Sequence, residues 1–186
     1  WRVERTWKVV DVCSEVNYYT QIRDSVDNTP PSHTSTLGDE TRDFYHNGVC
    51  GIRAQPDISI TDSCSNVNSS KTQTPAYPGC AYEPVVTEAW NAHDECGNDM
   101  DEFSREVTYT FEHDPIFHTS GDKRMEISCN DTLPVLIVTA TDVCGNIVPV
   151  TGPVDTIKGQ TCNNNYIVVR TWTATDDCGN TKDFGK

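Results

Sequence analysis

Close cysteine pairs, basic clusters, long apolar runs and catalytic signatures are all missing from this 186-residue chain. Each absence narrows the field. Nine cysteines are present, yet no C-x2-C occurs, and the tightest spacing is the 14 residues from Cys50 to Cys64. Metal-binding cysteine sets need close pairs, so the cysteines point to disulfides and an oxidising, extracellular or surface compartment. Only 14 Lys+Arg stand against 28 Asp+Glu, a formal net charge of −14. That argues against nucleic acid and anionic membranes, which need basic clusters to meet phosphate. No apolar run approaches the ~20 residues that span a bilayer, so no membrane insertion is expected. His33, His46, His93, His113 and His118 are scattered; His113 and His118, five apart beside Pro115, share no helix or strand face. G-x-S-x-G, H-E-x-x-H and glycine-rich phosphate loops do not occur. With disulfides taking the cysteines, Cys13 is the one thiol left to consider as a nucleophile. No catalytic residue and no enzyme is expected. The chain starts without Met or signal peptide and reads as a mature or excised piece of something longer.

What is present is a repeat. "RTWKVVDVC" (Arg5 to Cys13), "EAWNAHDECGN" (Glu88 to Asn98) and "RTWTATDDCGN" (Arg170 to Asn180) state one pattern three times. Trp7, Trp90 and Trp172 are 83 and 82 residues apart, and Cys13, Cys96 and Cys178 keep the same intervals. A period this long exceeds solenoid repeats of ~20–50 residues, so each unit is a small domain with its own core. The expected division is 1–26 as the final two strands (F and G) of a preceding or neighbouring module, then 27–112 and 113–186 as two modules. The last of these should lack most of its final strand.

Helical spacing is hard to find, and alternation is not. In "YIVVRTWTATD" Tyr166, Val168, Trp172 and Ala174 share one face, with threonines on the other; this is a half-buried strand. "FSREVTYTF" alternates likewise, and "LPVLIVTATD", "RMEISC" and "PDISITD" supply further strands. Short strands between Gly, Pro, Asn and Asp turns predict an all-β fold of tandem Ig-like β-sandwiches, about seven strands each. Trp7, Trp90 and Trp172 are the expected core residues. The charged residue two before each Trp (Arg5, Glu88, Arg170) is expected at the sandwich rim, stem on the ring and head in water.

Asp11, Asp62, Asp94, Asp142 and Asp176 each precede a Cys by two. An Asp at a strand end bonds backbone N–H groups two residues on, so turn chemistry accounts for it. Calcium is the alternative, because Asp94, Asp99 and Asp101 lie in the acidic run "DECGNDMDE" and offer hard oxygen ligands. No other cofactor is expected. Four cysteines per module allow three pairings. If the strands bearing Cys129, Cys144 and Cys178 are sandwich neighbours B, C and F, topology favours Cys50–Cys96 with Cys64–Cys80, and Cys129–Cys178 with Cys144–Cys162. Cys13 then needs a partner outside its own module.

The stretch "ISCNDTLPVLIVTATDVCGNIVPV…GQTCNNNYIVVRTWTATDDCGNT", with the "DNTPP" linker at Asp27 to Pro31, resembles the hyalin-repeat-like (HYR-like) immunoglobulin-fold modules. The likeness is specific in the last module and weaker in the middle one, where "EPVVTEAWNAHDECGND" departs from Arg-Thr-Trp-Thr. It implies a tandem β-sandwich of large secreted or surface proteins, including adhesins, with no catalytic residues.

The expectation is therefore an extracellular structural protein, a repeat segment or protomer of a surface filament or stalk. The alternative is an adhesin-type module recognising a glycan or protein ligand, for which Tyr18, Tyr19, Tyr77 and Phe117 are the aromatics to watch. Covalent glycans are candidates at Asn68 and Asn130, in N-x-S/T sequons. Thr29, Ser32, Thr34, Ser35 and Thr36 lie in a Pro- and Ser/Thr-rich linker suited to O-glycans. An F strand with an open edge, beside an N-terminal strand pair, predicts a homopolymer built by β-strand addition. The alternative is one continuous array whose flanking residues supply the missing strands.

Overall fold

A computed structural model describes residues 1–120, 124–128, 131–162 and 165–185. The chain opens with the strands β1 (Arg2–Val10) and β2 (Val16–Asp24). Short strands follow: β3 (Ser32–His33), β4 (Glu40–Asp43), β5 (Tyr45–His46), β6 (Val49–Cys50) and β7 (Ile60–Thr61). Three long ones, β8 (Val67–Ala76), β9 (Val85–Asp94) and β10 (Phe103–Thr110), complete the middle repeat. The last repeat holds β11 (Ile116–Thr119), β12 (Val138–Thr141), β13 (Ile147–Val148), β14 (Val150–Cys162), β15 (Asn165–Thr175) and β16 (Thr181–Gly185). No helix occurs among the described residues, and the all-β, Ig-like expectation holds.

The largest sheet runs β4-β10-β9-β8, with β4 parallel to β10 and Val107 opposite Glu40. The last repeat forms β11-β12-β13 and β14-β15-β16. Two compact units cut across the sequence repeat. One comprises Trp1–Leu37, Pro56–Thr72 and Ala89–Ser104; the other comprises Gly38–Gln55, Gln73–Glu88 and Arg105–Lys186.

In the first unit Trp90 is buried and packs on Phe103, ring centroids 5.3 Å apart. Trp7 is not a core residue. It lies opposite Tyr19 in the β1–β2 ribbon and is 44% exposed. A two-stranded ribbon has no second layer to bury a ring against.

The second unit holds two small cores. Val86, Val107 and Tyr109 pack with Phe44 and Ile52; Ala140, Val148 and Ala174 pack with Phe117 and Val150. Trp172 is buried beside Phe184, which in turn stacks on Phe117. Trp172 and Phe184 are register partners, and β16 pairs with β15 from Thr171 to Thr175. The expected open edge beside Trp172 is thus filled. "TKDFG" follows a tight turn and carries one well-placed aromatic, which is enough to close the strand.

Strand boundaries differ where apolar alternation misleads. "RMEISC" carries no strand at 124–128, "LPVLIVTATD" pairs only over Val138–Thr141, and "PDISITD" only over Ile60–Thr61. Conversely β8, "VNSSKTQTPA", has few apolar residues and is a strand because its backbone is paired with β9. In β14 the register shifts between Thr151 and Val154. There Gly152 (φ 116°) lies so close to β15 that a Cβ would meet the Thr171 carbonyl oxygen at 2.8 Å.

Candidate functional site

The Asp-x-Cys sequences build one recurring turn. At Asp94, Asp142 and Asp176 the carboxylate Oδ1 accepts the backbone N–H four residues on, from Asn98, Asn146 and Asn180, each at 2.8 Å. At Asp94 and Asp176 it also accepts the cysteine N–H, from Cys96 and Cys178 at 2.9 Å. The Asn side chain returns to Oδ2, at 2.7, 3.0 and 2.9 Å. Gly97, Gly145 and Gly179 sit at φ 87–89°, the left-handed region that glycine enters without steric cost. Asp11 builds the same turn without the Asn, accepting the N–H groups of Cys13 and Glu15 at 2.8 Å, and Asp62 builds a shorter version, holding the N–H groups of Cys64 and Ser65. At Asp62 those N–H groups hold the carboxyl below its usual range. Burial pushes the Asp94 and Asp142 carboxyls up, but the Asn98 and Asn146 amides and the backbone N–H groups outweigh it and lower both. Each turn thus presents a cysteine just past a strand end, its backbone held by an aspartate carboxylate.

In the second unit two of these turns meet the middle repeat, one at the turn before β9 and one just past the end of β10. Asn146 Nδ2 donates to the Tyr82 hydroxyl at 2.6 Å, and Asn180 Nδ2 donates to the Phe111 carbonyl at 2.8 Å. Tyr82 packs between Phe44 and Phe111, with centroids at 5.4 and 4.8 Å. Burial, then the Asp142 carboxylate, push the Tyr82 hydroxyl's pKa up. Two disulfides close the joint: Cys50–Cys144, with Cα atoms 5.7 Å apart, and Cys80–Cys178, with Cα atoms 5.0 Å apart. Lys182 and Asp114 add an exposed ion pair at 3.4 Å.

These bridges overturn the nested scheme. Cys50 is bonded to Cys144 and not to Cys96; Cys80 is bonded to Cys178 and not to Cys64. Cys129–Cys178 and Cys144–Cys162 fall with them, because Cys178 and Cys144 are already taken. Cys129 and the Cys162 side chain lie outside the described residues. The physical reason is the turn itself. The sandwich argument placed the cysteines inside neighbouring strands, whereas the turns carry Cys144 and Cys178 past the strand ends. The disulfides therefore join one repeat to the next.

The first unit holds three free, exposed cysteines, Cys13, Cys64 and Cys96. Its turns at Asp62 and Asp94 come together with Asp27, carboxylate oxygens within 4.8 Å of one another. Asn98 Nδ2 donates to the Asp27 carbonyl at 3.1 Å, and Ser65 Oγ to the Asp27 carboxylate at 3.3 Å. Of the expected calcium ligands Asp94, Asp99 and Asp101, only Asp94 belongs to this group; Asp99 instead forms a backbone β-bridge with His93. Asp94 spends its oxygens on Cys96, Asn98 and the Asn98 amide, so little of its lone-pair capacity faces a cation.

Glu88 corrects the rim expectation. It is fully buried and accepts from Arg105 Nε at 2.8 Å and Gln73 Nε2 at 2.9 Å, with Arg42 3.8 Å away. Arg105 also meets Glu40 at 3.2 Å, and Arg42 pairs with Glu40. Two carboxylates and two guanidiniums thus neutralise each other. Arg170, at the equivalent place, donates to Asp155 at 3.0 Å and to the Pro134 carbonyl. Arg5 stays exposed in the ribbon.

Among the glycan candidates Asn68, Thr29, Ser32, Thr34 and Thr36 are exposed, Ser35 is half-buried, and Asn130 lies outside the described residues. His113 pairs with Asp43 at 2.9 Å and His118 with Thr141 at 3.0 Å. Tyr18, Tyr19 and Tyr77 are exposed, while Phe117 packs against the second core.

Residues 117–185 match the family model of the HYR-like domain with four cysteines. The four are present, as Cys129, Cys144, Cys162 and Cys178. That segment is a HYR-like domain. No curated protein matches the chain significantly. The HYR-like assignment fits an extracellular or surface repeat module of adhesion type, and a module without catalysis. In this HYR-like domain the second and fourth cysteines bond to the repeat before it. Sequence reasoning had the signal for this joint in Tyr82 and the Asn of each D-x-C-G-N turn. It lacked any reason to place them together.

Proposed function

We propose that the chain is a segment of an extracellular tandem array whose HYR-like modules are locked to one another, giving a stalk or fibre that keeps its length under tension. The observation that carries this reading is the pair of disulfides joining successive repeats, Cys50–Cys144 and Cys80–Cys178. A flexible string of binding domains has no need of two covalent ties at one boundary. Linkage in tandem is favoured over strand addition, since β16 already occupies the edge that a donor strand would use.

Antibodies raised against the folded chain test the reading by immunogold electron microscopy of intact source cells. Labelling along a surface stalk or fibre is expected; labelling confined to the cell interior would refute it. A second reading, a ligand-binding module, is favoured by the exposed Tyr18 and by the exposed Tyr19 beside Trp7. Glycan-array binding abolished by Tyr18→Ala with Tyr19→Ala would promote that reading.

A further inference from the structure

The bridges follow a rule of position. In each repeat the cysteines run first to fourth: Cys50, Cys64, Cys80 and Cys96, then Cys129, Cys144, Cys162 and Cys178. The first and third of the middle repeat bond to the second and fourth of the next. By the same positions Cys64 and Cys96 are second and fourth, and both are free and exposed. We propose that Cys64 and Cys96 are one half of a second joint, which takes the first and third cysteines of a preceding four-cysteine module.

The rest of the joint is already in place around them. Asp62 and Asp94 hold the N–H groups of Cys64 and Cys96 at 2.8 and 2.9 Å, as Asp176 holds that of Cys178 at 2.9 Å. Asn98 reaches back 71 residues to the Asp27 carbonyl, as Asn180 reaches back 69 to that of Phe111. The β1–β2 ribbon sets Trp7 opposite Tyr19 as β15–β16 sets Trp172 opposite Phe184. It therefore has the register of a module's last two strands. Cys13 is that module's fourth cysteine. The rule sends it one module further back, which accounts for its free thiol here.

Each bond forms by thiol–disulfide exchange with a small disulfide such as oxidised glutathione. One protein thiolate attacks it and releases a glutathione thiol. The partner thiolate then attacks the mixed disulfide and releases the second. Two protein thiols and one small disulfide become one protein disulfide and two small thiols.

The inference rests on the tandem-array reading, yet the two fail separately, since cell-surface labelling bears on the array and bridge mapping on the cysteines. The test places a second copy of residues 27–83 ahead of Trp1 in the full chain, which completes the earlier module. After refolding in a glutathione buffer, alkylation and non-reducing peptide mapping should find Cys64 and Cys96 protected. They should be bonded to the added copies of Cys50 and Cys80 respectively, with Cys13 alkylated. Alkylated Cys64 and Cys96 alongside intact Cys50–Cys144 and Cys80–Cys178 would overturn the proposal, as would a Cys64–Cys96 bond. Intermolecular bonds from Cys64 or Cys96 in the unextended chain would assign these residues to a second copy and overturn it too. Should the extended chain not fold, the unreduced native protein decides by the same mapping. Cys64 and Cys96 bonded to two cysteines of one upstream repeat supports the joint, and free thiols there refute it.

Discussion

The bridge pattern has a mechanical signature that separates it from any nested scheme, and Cys50→Ser exposes it. Pulled by its ends, the reduced chain extends to about 630 Å at ~3.4 Å per residue. The Cys80–Cys178 bridge takes 98 residues out of that path, which leaves about 300 Å at the same rise. The Cys50–Cys144 bridge takes out 94, leaving about 310 Å by itself. The two overlap in sequence, so only one shortens the path at a time. Deleting either changes the final length by almost nothing. In Cys50→Ser the oxidised chain should therefore still stop near 300 Å. Were the bridges nested within each repeat, the same variant would keep only the short Cys64–Cys80 loop in the middle repeat and would stretch to about 410 Å. Single-molecule force spectroscopy on the 186-residue chain, with and without reductant, resolves a difference of this size. A contour near 410 Å for Cys50→Ser would refute the staggered pattern and the joint built on it.

Four further outcomes follow from the packing. Glu88→Ala removes the buried carboxylate partner of Arg105, leaving it only the exposed Glu40, and should cost about 3–5 kcal/mol in urea denaturation, whereas Glu88→Leu with Arg105→Met should restore much of it. Asn180→Ala removes the donors to Asp176 and to the Phe111 carbonyl and should cost about 1–3 kcal/mol, read as an earlier thermal transition. Trp172→Ala should cost about 3–5 kcal/mol, while Trp7→Ala, in an exposed ribbon, should leave the denaturation midpoint nearly unchanged. The lowered carboxyls of Asp62, Asp94 and Asp142 give stability that is fully present above the usual carboxylate range and lost as pH falls through their depressed values. The urea midpoint should thus be flat near neutrality and drop below about pH 4, and Asp142→Asn should shallow that drop.

Much of this was legible in the sequence, for physical reasons that can be named. The alternation around Trp90 and Trp172 gave strand and face, because one side of each strand must be buried. The Asp-x-Cys spacing gave the turn, because an aspartate closing on N–H groups a few residues ahead is local chemistry. What failed was long-range. Glu88 looks like a rim residue by position, and only four strands brought together show that Arg105, Arg42 and Gln73 surround it. Trp7 carries the core residue's pattern in a ribbon without a core. The pairing failed for the same reason: four equivalent cysteines per repeat hold no record of whether a partner lies in the same repeat or the next.

The choice between those two partners has a consequence for stability. The two clustered cores of the second unit are small, three buried apolar residues with two flanking ones in each, so they gain little from burial alone. In the chain-entropy account a bridge closing ~15 residues contributes about 3 kcal/mol and one closing ~100 about 4.7 kcal/mol. The bridges here close 94 and 98 residues, so each acts near the upper end of that range. Their contributions overlap because the loops do. Neither bridge stabilises a single module. Each restrains the unfolded state of two modules at once and makes the order of one depend on the order of its neighbour. A nested scheme would give independent beads that unfold one at a time under load. The staggered scheme gives a chain in which any opened module remains clamped at its boundary, which is the property a stalk requires and a free binding domain does not.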